Sequence, residues 1–151
     1  MTAQGDDVTL VGISYMQLEC LRAREHLAEV GIGAEVIDPV WLSPLDLDTI
    51  ATSVSKTGRL LVVDAAWTNC GASAEILAAI TERLQGTRDL RLKRLGFAPV
   101  PCPTTKNLEN AFYPNPERIA SLAHELVQGE GTFWMPTGAE APEVVQFKGP
   151  F

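Results

Sequence analysis

The stretch GRLLVVDAAWTNCGASAEI, residues 58–76, decides the fold. Leu60 to Asp64 (LLVVD) is a short, β-branched and almost wholly apolar run that opens just after Gly58. Such a run reads as a strand buried on both faces, because a strand with one wet face would alternate polar and apolar residues. A loop of small and polar residues follows. A helix is then predicted from about Ser73, with Ile76, Leu77, Ile80 and Leu84 on one face and Gly86 beyond its end.

The same strand–turn–helix plan recurs on either side. Upstream, Val8 to Ile13 (VTLVGI) reads as a buried strand. Met16, Cys20, Ala23, Leu27 and Val30 then step along one helix face towards Gly31, a residue suited to the left-handed end of a helix. Ala34 to Ile37 is a second short strand. Ser43-Pro44 opens a turn or a first helical turn, Asp46 is a candidate cap, and Leu47, Ile50, Ala51 and Val54 form a stripe stopped near Gly58. Downstream, Leu90 to Leu95 alternates polar and apolar residues as an edge strand does, and a proline-rich connection, FAPVPCPTTKNLENAFYP, follows it. Asn115 caps a last helix with Pro116 at its first position, and Ile119, Leu122, Ala123, Leu126 and Val127 form its stripe. Alternation of this kind predicts an α/β fold of three layers, an open and mostly parallel sheet covered by helices on both faces. Residues 1–128 are assigned to that domain. Residues 129–151 form an irregular Gly/Pro/aromatic tail whose Phe133, Trp134, Phe147 and Phe151 call for a docking place, on this domain or on a partner.

Composition narrows the function. The chain is 46% hydrophobic and 21% charged, as a globular domain is. With 12 Lys+Arg against 19 Asp+Glu its formal charge is −7, which argues against a nucleic-acid face. No apolar run approaches the roughly 20 residues that span a membrane, and the start, MTAQGDD, does not read as a signal peptide. Cys20, Cys70 and Cys102 are too widely spaced for a zinc or dithiol site, so no bound metal is expected and a reducing, cytoplasmic setting is. Dinucleotide, Walker, GxSxG and HExxH motifs are missing.

One loop invites a ligand. Asp64, Trp67, Cys70, Gly71 and Ser73 lie between a strand's carboxyl end and a helix start, where open α/β sheets bind small anions. The competing reading is that small residues there let the helix approach a neighbouring subunit. A helix start lowers a thiol pKa, yet no His or basic residue stands beside Cys70 to make it a nucleophile. His26 reads as solvent-facing, His124 as a flank residue with no partner in sequence, Cys20 as core and Cys102 as loop packing.

Taken in order, these pieces resemble a known family. Leu42, Ser43, Pro44, Leu45 and Asp46 after a strand ending in aspartate, the turn Thr57 to Leu60, Val62-Val63-Asp64, and PCPTTKNLENAFYPNPERI before the last helix are together similar to the C-terminal domain of transketolase-like enzymes. The likeness is closest to the beta subunit of the decarboxylating component of 2-oxoacid dehydrogenases and covers roughly Val8 to Val127. Ala65-Ala66 and Cys70-Gly71 stand where that family often has a glutamate and a Gly-Gly pair. The resemblance implies an assembly domain that catalyses nothing alone and binds no cofactor itself. Thiamine diphosphate and Mg would belong to the assembled enzyme. The implied partners are subunits carrying its pyrophosphate- and pyrimidine-binding domains, with homodimer pairing also open. The alternatives kept open are a stand-alone small-anion module using the crevice after Asp64 and an enzyme in its own right that uses Cys70.

Overall fold

The computed structural model describes residues 1–136, apart from the side chain of Asn107. Its elements run β1 (Val8–Gly12), α1 (Met16–Glu29), β2 (Ala34–Ile37), α2 (Leu47–Thr57), β3 (Arg59–Val63), α3 (Ala72–Leu84), β4 (Arg91–Leu95), α4 (Lys106–Phe112) and α5 (Pro116–Gln128). The four strands form one sheet in the order β2-β1-β3-β4, and every pair is parallel. At the β2 edge the chain start runs antiparallel, with Thr2 N–H donating to Val36 O (2.8 Å) and Val36 N–H to Ala3 O (2.9 Å).

Side chains alternate across the strands and so divide the core in two. Val8 and Leu10 of β1, Val36 of β2, and Leu61 and Val63 of β3 pack under α1 and α5. Val11, Ile37, Leu60 and Val62 face the other way, against α2 and α3. All five residues of β1 and the last four of β3 are buried, the burial that the continuous apolar runs predicted. The expected three-layer α/β architecture is therefore present.

Helix ends follow local chemistry. Asp46 caps α2, accepting from Thr49 N–H at 3.0 Å and Thr49 Oγ1–H at 2.6 Å, and Gly58 closes that helix at φ 71°. Asn115 accepts from Arg118 N–H at 2.9 Å, with Pro116 opening α5. Ser43-Pro44 lies in a turn closed by a bridge between Leu42 and Leu45.

One expectation needs correction and one element went unread. Val30 is not part of the buried α1 stripe; it is the exposed C-cap, one step beyond the helix. The sequence reading assigned no element to the proline-rich connection, and the structure places α4 inside it with Phe112 buried. Its seven residues are too few to display an apolar stripe, so periodicity could not reveal it.

Candidate functional site

Because the strands are parallel, every strand-to-helix loop leaves the sheet at its carboxyl end. Two observations gather there. Among the described residues, the non-glycine ones with left-handed backbones, Ser14 (φ 57°), Val40 (φ 53°) and Cys70 (φ 58°), sit in the loops after β1, β2 and β3 respectively. Such backbones cost on the order of 1–3 kcal/mol each and persist where surrounding structure enforces them, above all for a β-branched residue like Val40. Large apolar side chains are also exposed there: Tyr15 after β1, Val40 and Trp41 after β2, Trp67 after β3, and Leu108 on α4.

Asp64, at the end of β3, is buried, and its N–H donates to Leu95 O at 3.0 Å. Burial raises the Asp64 carboxyl pKa, and the backbone amides of Ser73 and Ala65 offset part of that rise. The carboxylate thus sits against the start of α3, where an incoming anion would otherwise bind. A β-carbon on Gly71 would lie 3.6 Å from Asp64 Oδ2 and collide with Trp67 O at 2.4 Å, so glycine permits this packing. Ser73 is wholly buried, and its Oγ has no hydrogen-bond partner among the described residues. Asp64, Gly71 and Ser73 are therefore brought together, whereas Cys70 is exposed and the Trp67 ring turns elsewhere.

That ring belongs to an aromatic platform. Trp67 meets Phe97 edge-on at 5.9 Å and Phe112 at 6.0 Å, and Phe97 stacks on Phe112 at 4.9 Å. With its underside held, Trp67 still leaves 49% of its surface exposed. Tyr113 extends the platform, and its hydroxyl lies 3.8 Å from the exposed Cys102 thiol. Beside β2, Met1, Ile37, Val40 and Trp41 line a groove of about 320 Å³ that also takes in Asp38 and Asp46. Val40 and Trp41 are 74% and 70% exposed. The sequence reading passed over both, although two bulky apolar residues in a strand–helix loop were a visible signal.

The remaining candidates lie elsewhere. Trp134 packs on the α1/α5 core, stacking on His124 at 4.9 Å, so His124 does have a partner. Phe133 does not dock; it is 85% exposed. Phe147 and Phe151 lie outside the described residues. His26 is partly exposed on α1, and Cys20 is buried, with burial driving its thiol pKa far upward and so keeping it protonated. A buried polar knot also went unread. Thr9 Oγ1 lies 2.7 Å from Ser53 Oγ and 2.8 Å from Thr57 Oγ1, and Glu35, beside Thr9 in the sheet, pairs with Lys56. Single polar residues inside short apolar strands, VTLVG and AEVI, were its only trace. Among the described residues no cluster of three or more His, Cys, Asp or Glu is placed to hold a metal.

The profile of the transketolase C-terminal domain matches residues 1–119. The chain belongs to that family. It is 38% identical over 125 residues to the pyruvate dehydrogenase E1 component subunit beta, mitochondrial, of Dictyostelium discoideum, covering 83% of this chain and 35% of that protein. It is 38% identical over 124 residues to the acetoin:2,6-dichlorophenolindophenol oxidoreductase subunit beta of Bacillus subtilis, covering 82% of this chain and 36% of that one. The chain thus spans about a third of the length of these relatives, 35% and 36%. Among solved structures, a split-gene transketolase described as an inactive beta4 tetramer superposes with a TM-score of 0.69 at 22% identity, over 83% of this chain and 39% of that one. At that identity it attests the fold alone. In this transketolase C-terminal domain the family match stops inside α5, yet Ala120, Ala123 and Leu126 beyond it still fill the core.

Proposed function

We propose that this chain is the assembly domain of a thiamine-diphosphate-dependent enzyme of the 2-oxoacid dehydrogenase or transketolase type, working with subunits that carry the cofactor-binding domains. The observation that carries this reading is the concentration of exposed apolar side chains at one end of the sheet, Tyr15, Val40, Trp41 and Trp67 in the strand-to-helix loops and Leu108 on α4. Covering such apolar side chains against a partner subunit removes them from water, which drives association. Family membership and the beta-subunit relatives, of which the chain spans about a third, support the same reading.

The described residues do not fit the cofactor by themselves. They gather no acidic metal cluster, and Asp64 fills the helix start that a diphosphate would use. Thiamine diphosphate and Mg are thus assigned to the assembly, and the catalytic steps to its other domains. The same carboxylate disfavours the small-anion module. Free thiols at Cys20, Cys70 and Cys102 suit a reducing, cytoplasmic setting.

Affinity purification of the full chain from its native cells, with co-purifying proteins assayed for thiamine-diphosphate-dependent 2-oxoacid turnover, tests the proposal. Recovery of a subunit with the cofactor-binding domains and that activity is the expected result. A chain that purifies alone and without activity overturns it.

A further inference from the structure

The groove beside β2 has a chemical character of its own. Its apolar lining, Met1, Ile37, Val40 and Trp41, stands next to two carboxylates, Asp38 and Asp46. Among the described residues no lysine or arginine lines it. Asp48, the next acid along α2, is already paired with Arg83. Asp38 receives Val40 N–H at 2.9 Å, which ties a groove carboxylate to the left-handed residue that presents Trp41. The groove's lining therefore combines apolar side chains with two carboxylates, and the Val40–Asp38 bond ties its loop.

Two copies of this chain make poor partners through such a surface. A two-fold contact sets each residue against the same patch on its mate, so Asp38 and Asp46 would face an equally acidic groove on a second chain of charge −7. We infer that the groove after β2 takes an aliphatic side chain from a basic segment of a different protein subunit, with lysine or arginine beside Asp38 and Asp46. This rests on the assembly reading and adds to it which part of the surface meets the partner and what that partner carries. Trp41 is the anchor, since a tryptophan at the centre of a contact dominates its energy.

The test uses the isotope-labelled full chain and two short synthetic peptides, one of alternating leucine and lysine, the other of alternating leucine and glutamate. The lysine peptide is expected to shift the amides of Asp38, Val40, Trp41 and Thr49, and to bind about tenfold more tightly than the glutamate peptide, an advantage that shrinks as salt rises. Trp41→Ala, at a side chain too exposed to hold the fold together, is expected to keep the melting temperature and weaken the lysine peptide about tenfold. Equal binding of the two peptides, shifts centred elsewhere, or movement of these amides with protein concentration alone overturns the inference, the last by showing a second copy in the groove. A co-purification arm separates the two claims. If the native chain and Trp41→Ala recruit the cofactor-bearing subunit equally, the groove inference falls while the assembly reading stands. If the native chain recruits no subunit, the assembly reading is what fails.

Discussion

Glu35 is only 1% exposed, in the middle of β2, yet it is charged. Burial by itself would raise its pKa, but hydrogen bonds from Lys56, Ser53 and the Gly5 amide outweigh it and hold the carboxyl below its ordinary value. A depressed carboxylate contributes stability above the unfolded value of 4.5, and that contribution is lost as pH falls through the folded pKa. Glu35→Gln should cost about 1–3 kcal/mol at neutral pH in chemical denaturation and flatten the acid limb below pH 4.5. Asp64 has the opposite sign. Its raised pKa means the folded chain holds the proton longer, so stability from this residue is greatest in acid and declines as pH rises through the range above 3.8. Asp64→Asn should remove that decline in melting curves taken across mildly acidic pH. Neither sign was legible beforehand. Sequence position suggested Asp64 as a ligand-facing group, whereas in the fold it is buried and its carboxyl meets the backbone amides of Ser73 and Ala65.

Between elements, the junction of β1 with α1 is close-packed. A β-carbon on Gly12 would come within 2.7 Å of the Gln17 backbone, so the strand end touches the first turn of the helix. Gly12→Ala should therefore destabilise by about 1–3 kcal/mol, read as a drop in melting temperature with unchanged ligand-free secondary structure. The end of α5 offers a second case. Trp134 stacks on His124 and packs on the α1/α5 core, so Trp134→Ala should lower stability, while Phe133→Ala, at an exposed side chain, should leave it unchanged. Equal effects would mean that the stack holds nothing. The caps at Asp46 and Asn115 were readable because one side chain meets its own helix three residues on. The seven-residue α4 was not, since its anchor is the distant ring of Phe97.

Across the whole molecule, one sheet separates two apolar layers, and α5 closes one of them with Ile119, Ala120, Ala123 and Leu126. A chain ending before Pro116 should therefore lose cooperative melting and bind a hydrophobic dye. Cooperative melting of the shorter chain would show that the α1 face can close without α5. The location of the candidate site belongs to this scale as well. Tyr15, Trp41, Trp67 and Leu108 are far apart in sequence and lie at one end of the sheet only because every parallel strand delivers its loop there.

What the sequence determined by itself is local and periodic. Apolar runs without alternation specified strands covered on both sides, stripes at helical spacing specified the faces of the longer helices, and an ordered set of short motifs specified the family. Tertiary structure alone decided what each environment does to a side chain. It buried Glu35 beside Thr9, folded the α3 start onto Asp64, laid Trp134 on His124, and collected apolar loop residues at one end of the sheet. The reason is range: periodicity and capping act over a few residues, whereas burial, pKa and shared surfaces depend on partners brought together only when the sheet is assembled.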